Sequence, residues 1–458
     1  MRLHILRSPS RLTQQHPQMS KTVYGAITRH TSSLFTRSHL TSTHNTTYSI
    51  RNITLQPSQR RNTVPAMVQD VPSIAILGAG PSGLLLARIL TLHSIPYIVF
   101  ERDGSPETLS RWGGTLDIHH DSGQVALAEA GLLDDFRRVA RYEAQGTKIV
   151  DRHANVVLDI GDSECEKRPE IDRRDLRDLL LHSVPSERIN WGCKVAKVER
   201  GNDETMAVHL ADSDKVVSGF KLIVGADGAW SKARSLINPA KPLYAGNTFV
   251  TACVSKSNPY HASLADLCGP GMYLAADSGH QIIAQGLADG SYQINISIPV
   301  TEGWQHSSSG GAGLISEPPA LRTFLMQLYA DWAPTITDLI RNSDDAYRLW
   351  PLYALPFESL SWESVPGVTL IGDAAHLEIP DGEGVNRALT DGVSLARSIV
   401  KHYEGGDLNL AVREYEAEML PRVRGEIESN EVKIKLLWSS DAPKGFVNAV
   451  MGGDFGKE

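Results

Sequence analysis

The stretch SIAILGAGPSGLLLARIL, residues 73–90, constrains the fold of this chain more than any other. Residues 73–77 are short and apolar, which suits a strand buried on both faces of a parallel sheet. Residues 84–90 repeat apolar side chains at helical spacing, so Gly78, Gly80 and Gly83 form a strand-to-helix turn. In such a turn the first glycine allows a sharp reversal and the second lets the backbone approach a pyrophosphate. The third lets the helix pack on the strand, with phosphate at the positive helix end. A G-x-G-x-x-G by itself also occurs in ordinary loops. Here a second apolar run, residues 97–100, ends in Glu101, about twenty residues past the glycines, where a carboxylate accepts hydrogen bonds from an adenosine ribose. The expected ligand is a dinucleotide.

With 458 residues, 41% of them hydrophobic and 21% charged, the chain has the composition of a globular protein with room for two cores. No run approaches eighteen consecutive apolar residues, so no transmembrane helix is expected. Cys165, Cys193, Cys253 and Cys268 lie far apart without a C-x-x-C pair, which argues against a structural zinc site or a disulfide scaffold, and no metal is expected. Charge is unevenly placed: residues 1–69 carry eight Arg, one Lys and no acid, leaving −17 for the remainder. An acidic body offers no electrostatic footprint for nucleic acid. The basic leader, rich in Arg, Ser and Thr, has two readings: a mitochondrial transit peptide, or a disordered tail ahead of a natural start at Met67. The body reads as cytoplasmic, or mitochondrial if the leader is a transit peptide.

Pattern divides the chain into a leader (1–70), a nucleotide-binding part (71–245) with a short strand insertion near 146–160, a β-rich part (246–350), a return to the nucleotide domain (351–405) and C-terminal helices (406–458). The β-rich part alternates as in YQINISIPV, which suits an antiparallel sheet. The stretch from Gly123 to Val139 reads as one helix, and GFKLIVGADGAWSKAR reads as strand, turn, helix. The expected fold is α/β: a Rossmann-like domain, a mostly antiparallel substrate domain and a C-terminal helical segment.

Three separated pieces need one explanation: the glycine turn with Glu101, GADGAWSKAR at 225–234, and LIGDAAH at 370–376. Each places glycine or an acidic residue at the end of an expected strand, the edge where open α/β sheets bind ligands. Asp227 or Asp373 alone also fits a helix cap. With GAGPSG, FERD, RWGGTLDIH, IDRRDLRDLLL, VGADGAWSKAR and GDAAH together, the chain resembles the class A FAD-dependent monooxygenases with the p-hydroxybenzoate hydroxylase fold. Among these it looks most like the tetracycline-degrading enzymes and their fungal secondary-metabolism relatives. The resemblance implies that the glycine turn binds the FAD pyrophosphate and that Glu101, with Arg102 beside it, binds at the adenosine. It implies flavin and NADPH binding at Asp227 and Gly228, and a ribityl contact at Gly372 and Asp373. It further implies an NADPH contact at Arg111 and FAD contacts at Asp117 and Arg173, although Arg173 also reads as a surface ion-pair residue. Gly384 and Asn386 match the family's loop before a helix. That loop, in GDAAHLEIPDGEGVN, is one residue shorter than the family pattern, and Glu378 and Asp381 add negative charge beside the expected flavin ring.

The resemblance implies FAD as cofactor, NADPH as co-substrate, and transfer of one oxygen atom from O2 to an electron-rich small organic substrate through a flavin C4a-hydroperoxide, by a monomer. No nucleophile is expected, because binding and exclusion of water do most of the work in such chemistry. His376 is expected to pack or hydrogen-bond rather than transfer protons. Rival readings are a halogenase or oxidase of the same fold, and a flavin-binding protein without turnover. The pocket is expected on the β-rich part, where Tyr273, Gln281, Gln293 and Asn295 read equally well as ordinary sheet residues.

Overall fold

A computed structural model describes residues 71–108, 113–161 and 168–451. The chain begins with β1 (Ile74–Leu77), α1 (Pro81–Leu92) and β2 (Tyr97–Phe100), then β3 (Thr115–Asp117), α2 (Gly123–Glu129) and α3 (Leu133–Val139). A hairpin of β4 (Thr147–Val150) and β5 (Val156–Ile160) follows, then β6 (Glu170–Asp172), α4 (Arg173–His182) and β7 (Ile189–Asn190). Next come β8 (Val195–Arg200), β9 (Met206–Leu210), β10 (Val216–Phe220) and β11 (Leu222–Gly225). The β-rich part holds β12 (Leu243–Val254), α5 (His261–Cys268), β13 (Met272–Asp277), β14 (His280–Gly286) and β15 (Tyr292–Pro299). It continues through α6 (Gly311–Ile315), α7 (Pro318–Leu328), α8 (Pro334–Arg341) and β16 (Arg348–Ala354). The chain closes with β17 (Val368–Leu370), α9 (Asp373–His376), α10 (Gly384–Tyr403), α11 (Leu408–Leu437) and α12 (Lys444–Met451).

Apolar runs buried on both faces make the first sheet, ordered β17-β11-β1-β2-β7 and parallel throughout. Its register brings three distant strand ends side by side, because Leu77 pairs with Gly225 and Gly225 with Leu370. Helices α1, α10 and the first half of α11 bury Leu84–Leu86, Leu389, Ala396 and Tyr415 in the core around this sheet. The second sheet, β16-β12-β15-β14-β13-β4-β5, is antiparallel except where β13 runs parallel to β4. Alternation gives it two different faces. Val250, Ile282, Ile294 and Ile296 pack against Leu321, Leu325 and Ile336 of α7 and α8, whereas Leu274 and Ala276 turn the other way toward Val447 of α12. Among the described residues no helix is long and apolar enough to cross a membrane.

The structure differs from the sequence reading in four places. The β4–β5 hairpin and β16 are members of the seven-stranded sheet, with β4 joined through β13 and β16 through β12, so neither runs with the parallel strands. Residues 123–139 form two helices, not one, because Gly131 at φ +68° turns the chain between them. The β-rich part carries four helices behind its sheet. No α-helix follows β11; a single short turn at Arg234–Leu236 replaces it. Arg234 is buried there, and its guanidinium donates to the carbonyls of Ala229 and of Ala374, the latter at 3.0 Å. That bond holds the segment as a loop against α9.

Candidate cofactor site

The glycine turn is shaped by what each missing Cβ would strike. A Cβ on Gly78, which sits at φ +105°, would lie 2.3 Å from the Ala226 carbonyl, so the turn passes directly over the end of β11. A Cβ on Gly83 would lie 2.3 Å from the Gly78 carbonyl, so α1 rests on the turn beneath it. Gly80 is different: a Cβ there meets no protein atom within 4 Å. It precedes α1, whose first turn has Pro81 but neither a side-chain cap nor an acidic residue. The positive end of the helix dipole at α1 is therefore not met by an acidic side chain of its own first turn.

Glu101 braces this turn from the end of β2. Its carboxylate accepts from Ala79 N at 2.6 Å and from Asp103 N at 2.9 Å while only 6% exposed. Arg177 of α4 completes the brace, donating to the Ala79 carbonyl and to Asp103, each at 3.0 Å. Arg102 next to Glu101 is exposed. In sequence Arg177 is one charge among several on α4, with nothing local to mark its partner.

Beyond β11 and β17 lies a second group. Asp227 accepts from Lys232 N at 2.6 Å through one oxygen, and its other oxygen, Oδ1, is buried with no hydrogen-bond partner. Burial pushes its carboxyl above the ordinary range, opposed by bonds from Ser231 and Lys232. Gly228 at φ +73° leaves open space where a side chain would stand. Arg173 begins α4, is accessible to water, and donates from Nε to the Gly113 carbonyl at 3.1 Å. Burial by surrounding protein lowers its pKa, with the charge of Asp373 opposing the shift. Asp373, exposed, opens α9, and Gly372 before it turns at φ +59° beside Ser82. Arg111 lies outside the described residues.

Asp117 and Asn386 meet, but through the Asn386 side chain and the backbone of the β3 segment. Asn386, 2% exposed, donates to the Asp117 carbonyl at 3.0 Å and accepts from His119 N at 3.0 Å. The Asp117 carboxylate lies 2.8 Å from His119 Nε2, and Glu383 lies 3.2 Å from Nδ1. Burial alone would lower the His119 pKa; the hydrogen bonds and charges of Asp117 and Glu383 outweigh it and raise it to about 9. Gly384 opens α10 with no protein atom within 4 Å of a Cβ. The charges of Glu378 and Asp381 are compensated, since Arg387, 4% exposed, pairs with both and lies 3.2 Å from Glu426. His376 is buried against Asp391 at 2.6 Å, and Asp391 also accepts from Gly372 N at 2.8 Å and Arg422 at 2.9 Å.

The sheet opposes this group through the loop at 113–114: a Cβ on Gly114 would stand 2.8 Å from Gln293 Nε2. On the same face Thr251 donates to Asn295 at 2.8 Å, and Phe249 lies 6.4 Å, ring to ring, from Trp438 at the end of α11. Tyr273 faces the opposite core. No group of three or more potential metal ligands occurs among the described residues.

A glycine turn, a braced acidic residue and two further strand ends on one edge of a parallel sheet define a dinucleotide-binding α/β protein. Comparison with known proteins agrees: the FAD binding domain family matches residues 71–249 and 362–429. Monooxygenase asqM of Emericella nidulans is 30% identical over 374 residues, covering 71% of this chain and 83% of its own. Monooxygenase penA of Penicillium thymicola is 30% identical over 366 residues, covering 71% and 84%. Klebsiella pneumoniae HpxO, solved with FAD and uric acid, superposes with a TM-score of 0.66 at 22% identity over 82% of this chain and 92% of its own. The tetracycline destructase Tet(51) superposes at 0.59 with 16% identity over 84% and 100%, and these two structures bear on the fold alone. The chain belongs to the class A FAD-dependent monooxygenase family.

Proposed function

We propose that this protein is an NADPH-using monooxygenase that places one oxygen atom from O2 on an electron-rich small organic substrate, by hydroxylation or epoxidation, in secondary metabolism. The observation that carries the reading is the convergence of β1, β11 and β17, whose adjacent ends present the open space at Gly80, the unpartnered Asp227 oxygen and the Gly372–Asp373 turn. Bound there, FAD supplies acceptance of two electrons from a nicotinamide and activation of oxygen.

Each residue then has a physical task. Gly80 and the first turn of α1 hold the pyrophosphate, with the helix dipole adding attraction. Gly78 and Gly83 keep that turn tight, Glu101 receives the adenosine ribose, and Arg102 lies beside the adenosine. Asp227 and Gly228 would serve flavin and NADPH binding, and Gly372 and Asp373, at the end of the adjacent strand, would contact the ribityl chain. Arg173 and the positive end of α10 at Gly384 would favour negative charge on a flavin bound there. The Thr251, Gln293, Asn295 face of the sheet, with Phe249 and Trp438, closes over the reacting carbon, orients it and excludes water.

Purified protein supplied with FAD tests this. It should be yellow, lose its visible flavin absorbance rapidly on adding NADPH, and transfer label from isotopic dioxygen into a product when offered phenolic, enolic or alkene compounds. A flavin that NADPH leaves oxidised with every such compound present contradicts the reading.

A further inference from the structure

We propose that His119 is a positioning residue for the cofactor: it bridges Asp117 at the end of β3 to Glu383 in the loop entering α10, and so holds that loop against the flavin. The inference rests on the cofactor placement given above. The loop needs holding. Gly382 turns at φ +90°, and neither Gly382 nor Gly384 has a protein atom within 4 Å of where a Cβ would stand, so its inner side has no packing of its own. Its Asp381 side is tied by Arg387 of α10 and by Asn430 of α11, the latter at 3.1 Å. Its Glu383 side is tied across the site to the β3 segment, through His119 Nδ1 at 3.2 Å. Asn386 sets the distance, because it binds the backbone of both Asp117 and His119. A charged bridge on one side and the Arg387 pair on the other fix where the loop's amides point.

A neutral imidazole presents one N–H, whereas a bridge between two carboxylates uses both nitrogens as donors. The bridge therefore depends on a proton. The groups that face it are Asp117 on β3, Glu383 on the loop, and Arg168, 4.0 Å from Glu383, on the segment before β6. Glu170 on β6 acts electrostatically on Asp117, while His120 and Asp121 pair beside His119 on its own segment. The sign follows from the direction of the shift. A histidine whose pKa is raised from 6.5 to about 9 contributes fully below 6.5, and the contribution is lost as pH rises through 9.

The experiment measures FAD dissociation constants by quenching of flavin fluorescence across that range, for the full protein, His119→Gln, Glu383→Gln and the double variant. Parent affinity should fall about tenfold with rising pH, the scale of one charge-assisted hydrogen bond. Each single variant should be weaker by about the same factor near neutrality and nearly independent of pH, and the double no weaker than either single, as for two ends of one bridge. Ionisation of flavin itself is common to all four proteins and cancels. Glu383 is partly exposed, so its amide variant tests the bridge even if substitution at buried His119 lowers the melting temperature. Parent binding with unchanged affinity and pH profile in the variants overturns the inference alone. A parent that takes up no FAD at any pH overturns the cofactor placement and this inference with it.

Discussion

Replacing Gly80 with alanine separates what the glycine turn does for the fold from what it does for the ligand. Gly80 has φ −82° and ψ 177°, a backbone conformation open to any residue, and its Cβ would meet no protein atom within 4 Å. Alanine is a poorer residue than glycine ahead of a helix, by up to about 1 kcal/mol. Reduced freedom of the unfolded chain offsets this by about 0.4–1 kcal/mol. The melting temperature without ligand should therefore stay within a few degrees of the parent. The added methyl, however, stands in the path by which a pyrophosphate reaches the first-turn amides of α1. Loss of two charge-assisted hydrogen bonds at about 1.5–3 kcal/mol each weakens FAD binding by about 3–6 kcal/mol, roughly a hundred- to ten-thousand-fold. Fluorescence titration with FAD, beside a circular-dichroism melt, measures both quantities on one preparation. A variant that melts like the parent and binds FAD within about threefold of it refutes the reasoning, because the open space at Gly80 would then be solvent and not a ligand site.

Gly83→Ala is the matched contrast: its Cβ falls 2.3 Å from the Gly78 carbonyl, so α1 must lift off β1, and folded yield or melting temperature should drop sharply even without ligand. Asp391→Asn removes the charge from a carboxylate, fully buried, that serves His376, Arg422 and Gly372 N together. Chemical unfolding should show a loss of about 3–5 kcal/mol, the usual cost of breaking a buried ion pair from one side. Glu170 is pushed up to about 7 by burial, against a bond from Thr115 and the charge of Arg141. Its folded form prefers the proton, so stability declines as pH rises from the ordinary 4.5 to 7 and is level above. Glu170→Gln should remove that slope and be more stable above neutrality by up to about 3 kcal/mol, read from unfolding curves at several pH values.

How much of this was legible in the sequence differs from element to element. The parallel sheet and its glycine turn were readable because burial on both faces, helical spacing and the steric need for glycine are local patterns. That the ends of β1, β11 and β17 lie side by side was inferable from three motifs sharing one topological rule, and the register supplies the positions. The loop after β11 was misread because GAWSKAR has helical character locally, and the bonds that keep it a loop run from Arg234 to Ala374, 140 positions away. The membership of β4 in the seven-stranded sheet has the same origin, since its parallel partner β13 begins more than a hundred residues later.

For the candidate site, the amino-acid order singled out the glycines, Glu101, Asp227, Arg173 and Asp373, while the partners of the charges came from the structure. Glu378 and Asp381 look like stray negative charge until Arg387 is seen to pair with both. His119 and Arg177 carry no mark of importance until Glu383 and Ala79 are found beside them. By itself the sequence determined the fold class and a glycine turn suited to a dinucleotide, because these follow from short-range periodicity and from where a Cβ is forbidden, while FAD followed from the resemblance of its motifs to a family that the comparison then matched. Tertiary structure alone decided which side chains brace the site and which charges are cancelled. Electrostatic and hydrogen-bonding partners are set by distances of a few ångströms between segments far apart in the chain, and no one-dimensional pattern carries those distances.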